Sequence, residues 1–150
     1  MNKQTRNIIN VSLTLVAIYL YSFTASNIET EILGFNSFKF LITIAVLIQF
    51  LIFLPSFIFK TEKFYDLTGS LTYISVTSIA YFSLDNPTTT DTILFLYVVI
   101  WAGRLGIFLF RRVNKVGKDV RFDKAKKKFF WFLQYWMGQA AWVVFTAGAS

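Results

Sequence analysis

Apolar runs of near-constant length, separated by short polar stretches, organise the whole chain. Five such runs, residues 8–26, 39–59, 67–84, 92–110 and 129–147, approach the ~20 apolar residues that a helix needs to cross a bilayer. The pattern predicts an all-α fold: a polytopic membrane bundle of five transmembrane helices. The first run is too long, and too polar at its far flank, for a cleaved leader. It also lacks a small-x-small cleavage site ahead of a soluble domain, so it is expected to be a retained helix. Pro55 falls inside the second run, where it should remove one backbone hydrogen bond and kink the helix. Asn86-Pro87, followed by Thr88, Thr89 and Thr90, marks a short turn. Repeats and low-complexity segments are absent from the sequence.

Charge between the runs sets an orientation. Lys3 and Arg6 precede the first run, Lys60 and Lys63 follow the second, and nine Lys and Arg lie between Arg111 and Lys128. Of the fifteen basic residues, only Lys39 and Arg104 fall elsewhere. The intervening loops carry Glu29 and Glu31 on one occasion and Asp85 and Asp91 on the other. Positive charge gathers on the cytoplasmic face, so the N-terminus is expected inside and the chain in the inner (cytoplasmic) membrane, multi-pass.

Composition agrees with a lipid solvent. Hydrophobic residues make up 55% of the 150 and charged residues 15%, against about a quarter charged in a typical soluble chain. Length allows one domain, 1–150. There is no Cys and no His. That excludes disulfides, thiol nucleophiles, the usual zinc ligand sets and any Ser-His-Asp triad. Proton chemistry must then use Tyr, Asp, Glu, Lys or water. The net charge of +7 is concentrated beside the run ends, where it serves topology and anionic headgroups. Membrane lipids are therefore the expected partners, and nucleic acid is not.

Polar groups forced into lipid are the natural candidates for function. Asp66 is followed at helical spacing by Ser70, Tyr73 and Thr77, in a run that holds seven Ser and Thr hydroxyls. Interhelical hydrogen bonding accounts for the hydroxyls; Tyr65 and Asp66 read better as a site. Arg104 shares a face with Tyr97, Trp101 and Phe108, between Gly103 and Gly106. It either snorkels to the headgroups or pairs with Asp66 or an anionic ligand. Gln134, with Gly138, Ala141 and nearby Gln139, lies among Trp131, Trp136 and Trp142. A polar pocket and close helix packing explain that group about equally. Together the three clusters predict a cavity in the cytoplasmic half, suited to an amphipathic or lipid-like small molecule. No Gly-rich phosphate loop is present.

Four segments carry a resemblance: Lys60-Thr61-Glu62-Lys63-Phe64-Tyr65-Asp66-Leu67-Thr68-Gly69-Ser70-Leu71-Thr72; Trp101-Ala102-Gly103-Arg104-Leu105-Gly106 with Phe108 to Arg112; Gly117-Lys118-Asp119-Val120-Arg121-Phe122-Asp123; and, more loosely, Gln134 to Trp142. From about residue 45 onward the chain resembles a bacterial family of uncharacterised membrane proteins grouped with steroid 5-alpha-reductases and, more distantly, isoprenylcysteine carboxyl methyltransferases. The resemblance implies a membrane-embedded reductase that uses NADPH on an apolar enone or lipid-like substrate. It implies Tyr65 and Asp66 as the catalytic acid group, and Ser70, Tyr73, Trp101, Arg104 and Gln134 as substrate contacts. Arg112, Arg121 and Asp123 would meet the phosphates and ribose of the cofactor. Family members extend beyond the point where this sequence stops and carry there an Arg-His-Pro-Asn-Tyr-like nucleotide signature. The chain is therefore expected to be the N-terminal part of a steroid-reductase-like domain, lacking the nucleotide-gripping half and inactive alone. A methyltransferase using S-adenosylmethionine is the alternative chemistry. A non-enzymatic bundle or transporter ranks lower, because Pro55 is the only sign of a broken helix.

Overall fold

The computed structural model describes residues 2–24, 31–117 and 119–148. Five α-helices account for most of them: α1 (Lys3–Tyr21), α2 (Ser37–Ile58), α3 (Tyr65–Phe82), α4 (Thr89–Val116) and α5 (Phe129–Ala147). Two residue pairs, Glu31–Ile32 and Phe35–Asn36, form a minimal antiparallel ribbon ahead of α2. Its turn is Leu33-Gly34, both at positive φ (53° and 77°), the geometry that favours a two-residue hairpin. All-α is thus the architecture, with one small ribbon that hydropathy does not register.

Helix ends follow local chemistry more than hydropathy. Asn2 caps α1 by accepting from the Gln4 amide, so the helix starts in polar sequence well ahead of the apolar run. Residues 25 and 26 of the expected first span, along with Glu29 and Lys118, lie outside the described residues. Thr88 and Asp91 form a reciprocal capping box on α4: the Asp91 amide donates to Thr88 Oγ1 (3.2 Å) and the Thr88 amide to Asp91 Oδ2 (2.8 Å). At the other end, α4 runs on through Arg111 and Arg112 until Gly117 stops it at φ 85°, a left-handed cap that glycine adopts without strain. Helix α2 continues through Pro55 and ends within a turn of it.

Helix α3 is central and packs against α4, α2 and α5; α1 packs along α5. Its hydroxyls are largely absorbed by the fold. Thr68 and Thr72 donate to the carbonyls of Phe64 and Thr68 (2.7 Å each), and buried Gln49 of α2 donates to Thr72 Oγ1 at 3.1 Å. Small residues allow the close approaches. A β-carbon at Gly106 of α4 would lie 2.7 Å from Ser70, and one at Gly69 would lie 2.5 Å from the Gln139 amide. Gly103, by contrast, meets nothing within 4 Å.

Two helices, α2 and α4, are long and apolar enough to cross a membrane, with mean hydropathies of 2.5 and 2.2. Little of α4 is covered by the bundle, and α1 also presents many large apolar side chains outward. Exposed apolar surface of that extent is the kind that a membrane or a protein partner covers. The bundle has two ends. The ribbon end gathers the start of α2, the α3–α4 turn and the end of α5. The loop end gathers the starts of α1, α3 and α5, plus the segment between α4 and α5.

Candidate functional site at the loop end

Between α4 and α5 the chain makes two 3-10 turns, Val120–Phe122 and Ala125–Lys127. This segment folds back on the bundle. Phe122 is buried, its ring 4.8 Å from Tyr65, 5.0 Å from Tyr135 and 5.9 Å from Phe132. Burying a Phe side chain stabilises by about 1.5–3 kcal/mol, enough to hold a short segment against its ordering entropy.

A carboxylate secures the same segment. Glu62, in the turn before α3, is only 4% exposed. Its Oε1 accepts from the Asp119 amide (3.0 Å), and its Oε2 accepts from Lys126 Nζ (2.6 Å). Sequence reasoning placed Glu62 in a motif and Lys126 in a basic loop, and assigned neither to the site. An acidic residue next to an otherwise basic side of the chain was the only available signal.

Tyr65 and Asp66 form the first turn of α3, ahead of the apolar run at 67–84. The Tyr65 hydroxyl donates to the Tyr135 carbonyl of α5 at 3.0 Å, and its ring meets Trp136 edge-on at 5.3 Å. Burial, with the adjacent Asp66 charge, pushes the phenol above its ordinary pKa. The Tyr65 proton is therefore already engaged in holding α3 to α5.

Asp66 faces two cations. Arg112 of α4 lies at 3.8 Å and Arg121 of the 3-10 turn at 3.9 Å, both measured to Oδ2. Burial raises the Asp66 pKa above the usual carboxylate value, the two guanidiniums work against that rise, and nearby Asp119 adds to it. Arg121 is held more tightly by Asp119, through bonds of 2.5–3.0 Å. That hydrogen bonding draws the Asp119 pKa down and the Arg121 pKa up. Asp123 lies 3.9 Å from Lys126. Among the described residues no group of three or more Asp or Glu side chains is arranged to hold a metal ion.

Pairing with Asp66 was one of the roles open to Arg104; in the structure Arg112 and Arg121 stand beside Asp66. Ala102, Gly106 and Val113 are the buried stripe of α4. Arg104 sits on the opposite side and is exposed, as are Tyr97, Trp101 and Phe108. These four do share a face, which is largely exposed, with the Trp101 ring reaching Tyr73 of α3.

The remaining expected residues are scattered. Ser70 is buried against Gly106. Tyr73 hydrogen-bonds Thr146 of α5, and its ring meets Trp101 at 5.3 Å. Gln134 lines a separate polar notch between α1 and α5. The apolar cavity also departs from expectation. It measures about 420 Å³ and lies at the ribbon end among α2, α3, α4 and α5, walled by Phe38, Ala45, Val76, Phe95, Val98 and Val144. The loop end holds the polar notch of about 820 Å³.

No curated protein and no solved structure matches the chain. Residues 50–149, from the second half of α2 to just past the end of α5, match the model of a family described as a protein of unknown function (DUF1295). The match takes in the α3 first turn, Arg104, Arg112 and the Glu62-anchored segment, and the chain belongs to that family.

Proposed function

We propose that this chain is a multi-pass protein of the inner membrane whose five helices all cross the bilayer, with the loop end cytoplasmic. We propose further that Asp66 is the acid of an NADPH-dependent reductase acting on an apolar enone or lipid-like substrate. The family is associated with steroid 5-alpha-reductase-like proteins, which supports the reaction class. Concentration of Lys and Arg at one end of the bundle supports the orientation.

The observation that carries the reading is the setting of Asp66. It is a desolvated carboxylate at a helix start, with a raised pKa, between two guanidiniums at 3.8 and 3.9 Å. A carboxylic acid of raised pKa can hydrogen-bond a substrate carbonyl and return its proton to the enolate. Arg112 and Arg121 remain 48% and 52% exposed. The N–H groups of Arg112, and those of Arg121 that Asp119 does not hold, can reach phosphate oxygens, and the separation of both from Asp66 exceeds that of a good charge-assisted hydrogen bond. When bound, NADPH would supply a hydride to the carbon β to the carbonyl and leave as NADP+. Tyr65 would keep α3 and α5 in register beneath the acid.

The test uses NADPH-induced thermal stabilisation in nanodiscs, with S-adenosylmethionine as the comparison ligand, and NADPH consumption with a cyclic enone by the full gene product. Arg112→Gln with Arg121→Gln should abolish the NADPH shift. Asp66→Asn should keep the shift and remove turnover. Stabilisation by S-adenosylmethionine alone, or full turnover by Asp66→Asn, would sink the reading.

A further inference from the structure

A second site lies at the loop end, between the starts of α1 and α5, and shares only Gln134 with the residues assigned to the reductase site. Lys3, Arg6 and Lys128 converge on the notch of about 820 Å³, and no acidic side chain lines it. Among the described residues, none of the three cations takes part in an ion pair. Like charges gathered in this way repel one another unless an anion sits among them.

Other donors point to the same occupant. Asn7 of α1 lines the notch, is only 9% exposed, and has no side-chain hydrogen-bond partner among the described residues. Its amide opens onto the notch and can donate to a ligand there. Helix α5 begins at the wall of the notch without a side-chain cap, and its first backbone bond runs from the Phe132 amide to the Lys128 carbonyl. The amides of Phe129, Phe130 and Trp131 therefore lack helical acceptors, and all three residues line the notch.

A concave site with several cations, free amides at a helix start and no carboxylate selects a compact anion rich in oxygen acceptors. We propose that this notch binds a phosphate group, presented either by an anionic lipid headgroup or by a soluble phosphate. Arg6 and Lys128 supply charge from the two helices, Asn7 donates from the floor, and the α5 amides close the wall. This site stands independently of the reductase reading and requires none of its chemistry.

The experiment uses the full chain in neutral detergent. Native mass spectrometry would compare retention of phosphatidylglycerol and phosphatidylcholine, and thermal stability would be titrated with inorganic phosphate. Arg6 and Lys128 are both exposed, so Arg6→Gln with Lys128→Gln should fold. This pair should lower binding of the preferred phosphate probe about tenfold. A charge-matched control, Lys115→Gln with Lys127→Gln, should change it less than twofold. Asn7→Asp, equal in volume and leaving every cation in place, should also weaken binding. Preference for phosphatidylglycerol identifies a headgroup as the source; stabilisation by inorganic phosphate alone identifies a soluble one. Equal losses in the two charge pairs, or no binding of either probe, would overturn the proposal.

Discussion

Glu62→Gln tests whether the segment between α4 and α5 is held by a buried ion pair. The substitution keeps the shape and the carbonyl that accepts from the Asp119 amide, and removes the charge facing Lys126 at 2.6 Å. Breaking a fully buried pair costs about 3–5 kcal/mol. The Lys126 side chain is 19% exposed, so water recovers part of that, and about 2 kcal/mol is expected. For a domain of this length, 1 kcal/mol shifts Tm by about 2–4 °C, so a fall of roughly 4–8 °C should follow. The loss should be local. Hydrogen exchange across 119–128 and tryptic cleavage at Lys124 should rise well before cleavage elsewhere. Lys126→Met in the Glu62→Gln background should add little, because the partner is already gone. If Glu62→Gln leaves both Tm and cleavage at 119–128 unchanged, the pair does not hold the segment and the reasoning fails.

Three further expectations come from the packing and electrostatics. Thr72→Val should destabilise by about 1–3 kcal/mol by leaving the buried Gln49 amide unpaired, and Gln49→Leu should cost less, because Thr72 still donates to the Thr68 carbonyl. The double variant should recover most of that loss, as read by thermal denaturation in detergent. Gly106→Ala places a β-carbon 2.7 Å from Ser70 and should cost about 1–3 kcal/mol, with Ser70→Gly restoring part of it. Asp119 has a folded pKa below its unfolded value near 3.9. Its stabilising contribution is therefore complete above about pH 4 and fades as pH drops through the folded pKa. Asp66, whose pKa is raised, has the opposite sign: its contribution is present at acid pH and lost as pH climbs through its folded pKa. Asp66→Asn should accordingly stay folded at neutral pH and flatten the stability profile above the unfolded carboxylate pKa, while Asp119→Asn flattens it below.

Legibility from sequence varied with the kind of signal. Helix α5 was located to the residue because its apolar run opens just after Lys128 and closes just before Gly148. Helix α4 extends beyond its apolar run at both ends, since caps and not hydropathy decide where a helix stops. The raised carboxylate at Asp66 was legible as a polar group at the edge of an apolar run. Its partners were not. Helical periodicity alone puts Arg104 and Arg112 on different faces without saying which face meets α3. The close approach of Gly106 to Ser70 decides that, and it turns Arg104 outward. The bond from Glu62 to Lys126 spans 64 positions, a separation at which no local pattern carries information.

The void at the ribbon end has a consequence for how the protein must be handled. Helix α4 is fastened to α3 by Tyr81, which stacks on Phe95 at 4.4 Å and hydrogen-bonds Thr92 at 3.0 Å, and farther along by Gly106 on Ser70. Between α4 and the pair α2 and α5 the chain leaves about 420 Å³ with mostly apolar walls. If α4 crosses a bilayer as proposed, acyl chains would supply the missing side of that packing, and lipid would be a building material of the fold. Stripping it with detergent should loosen α4 first, before any residue of the loop end has moved.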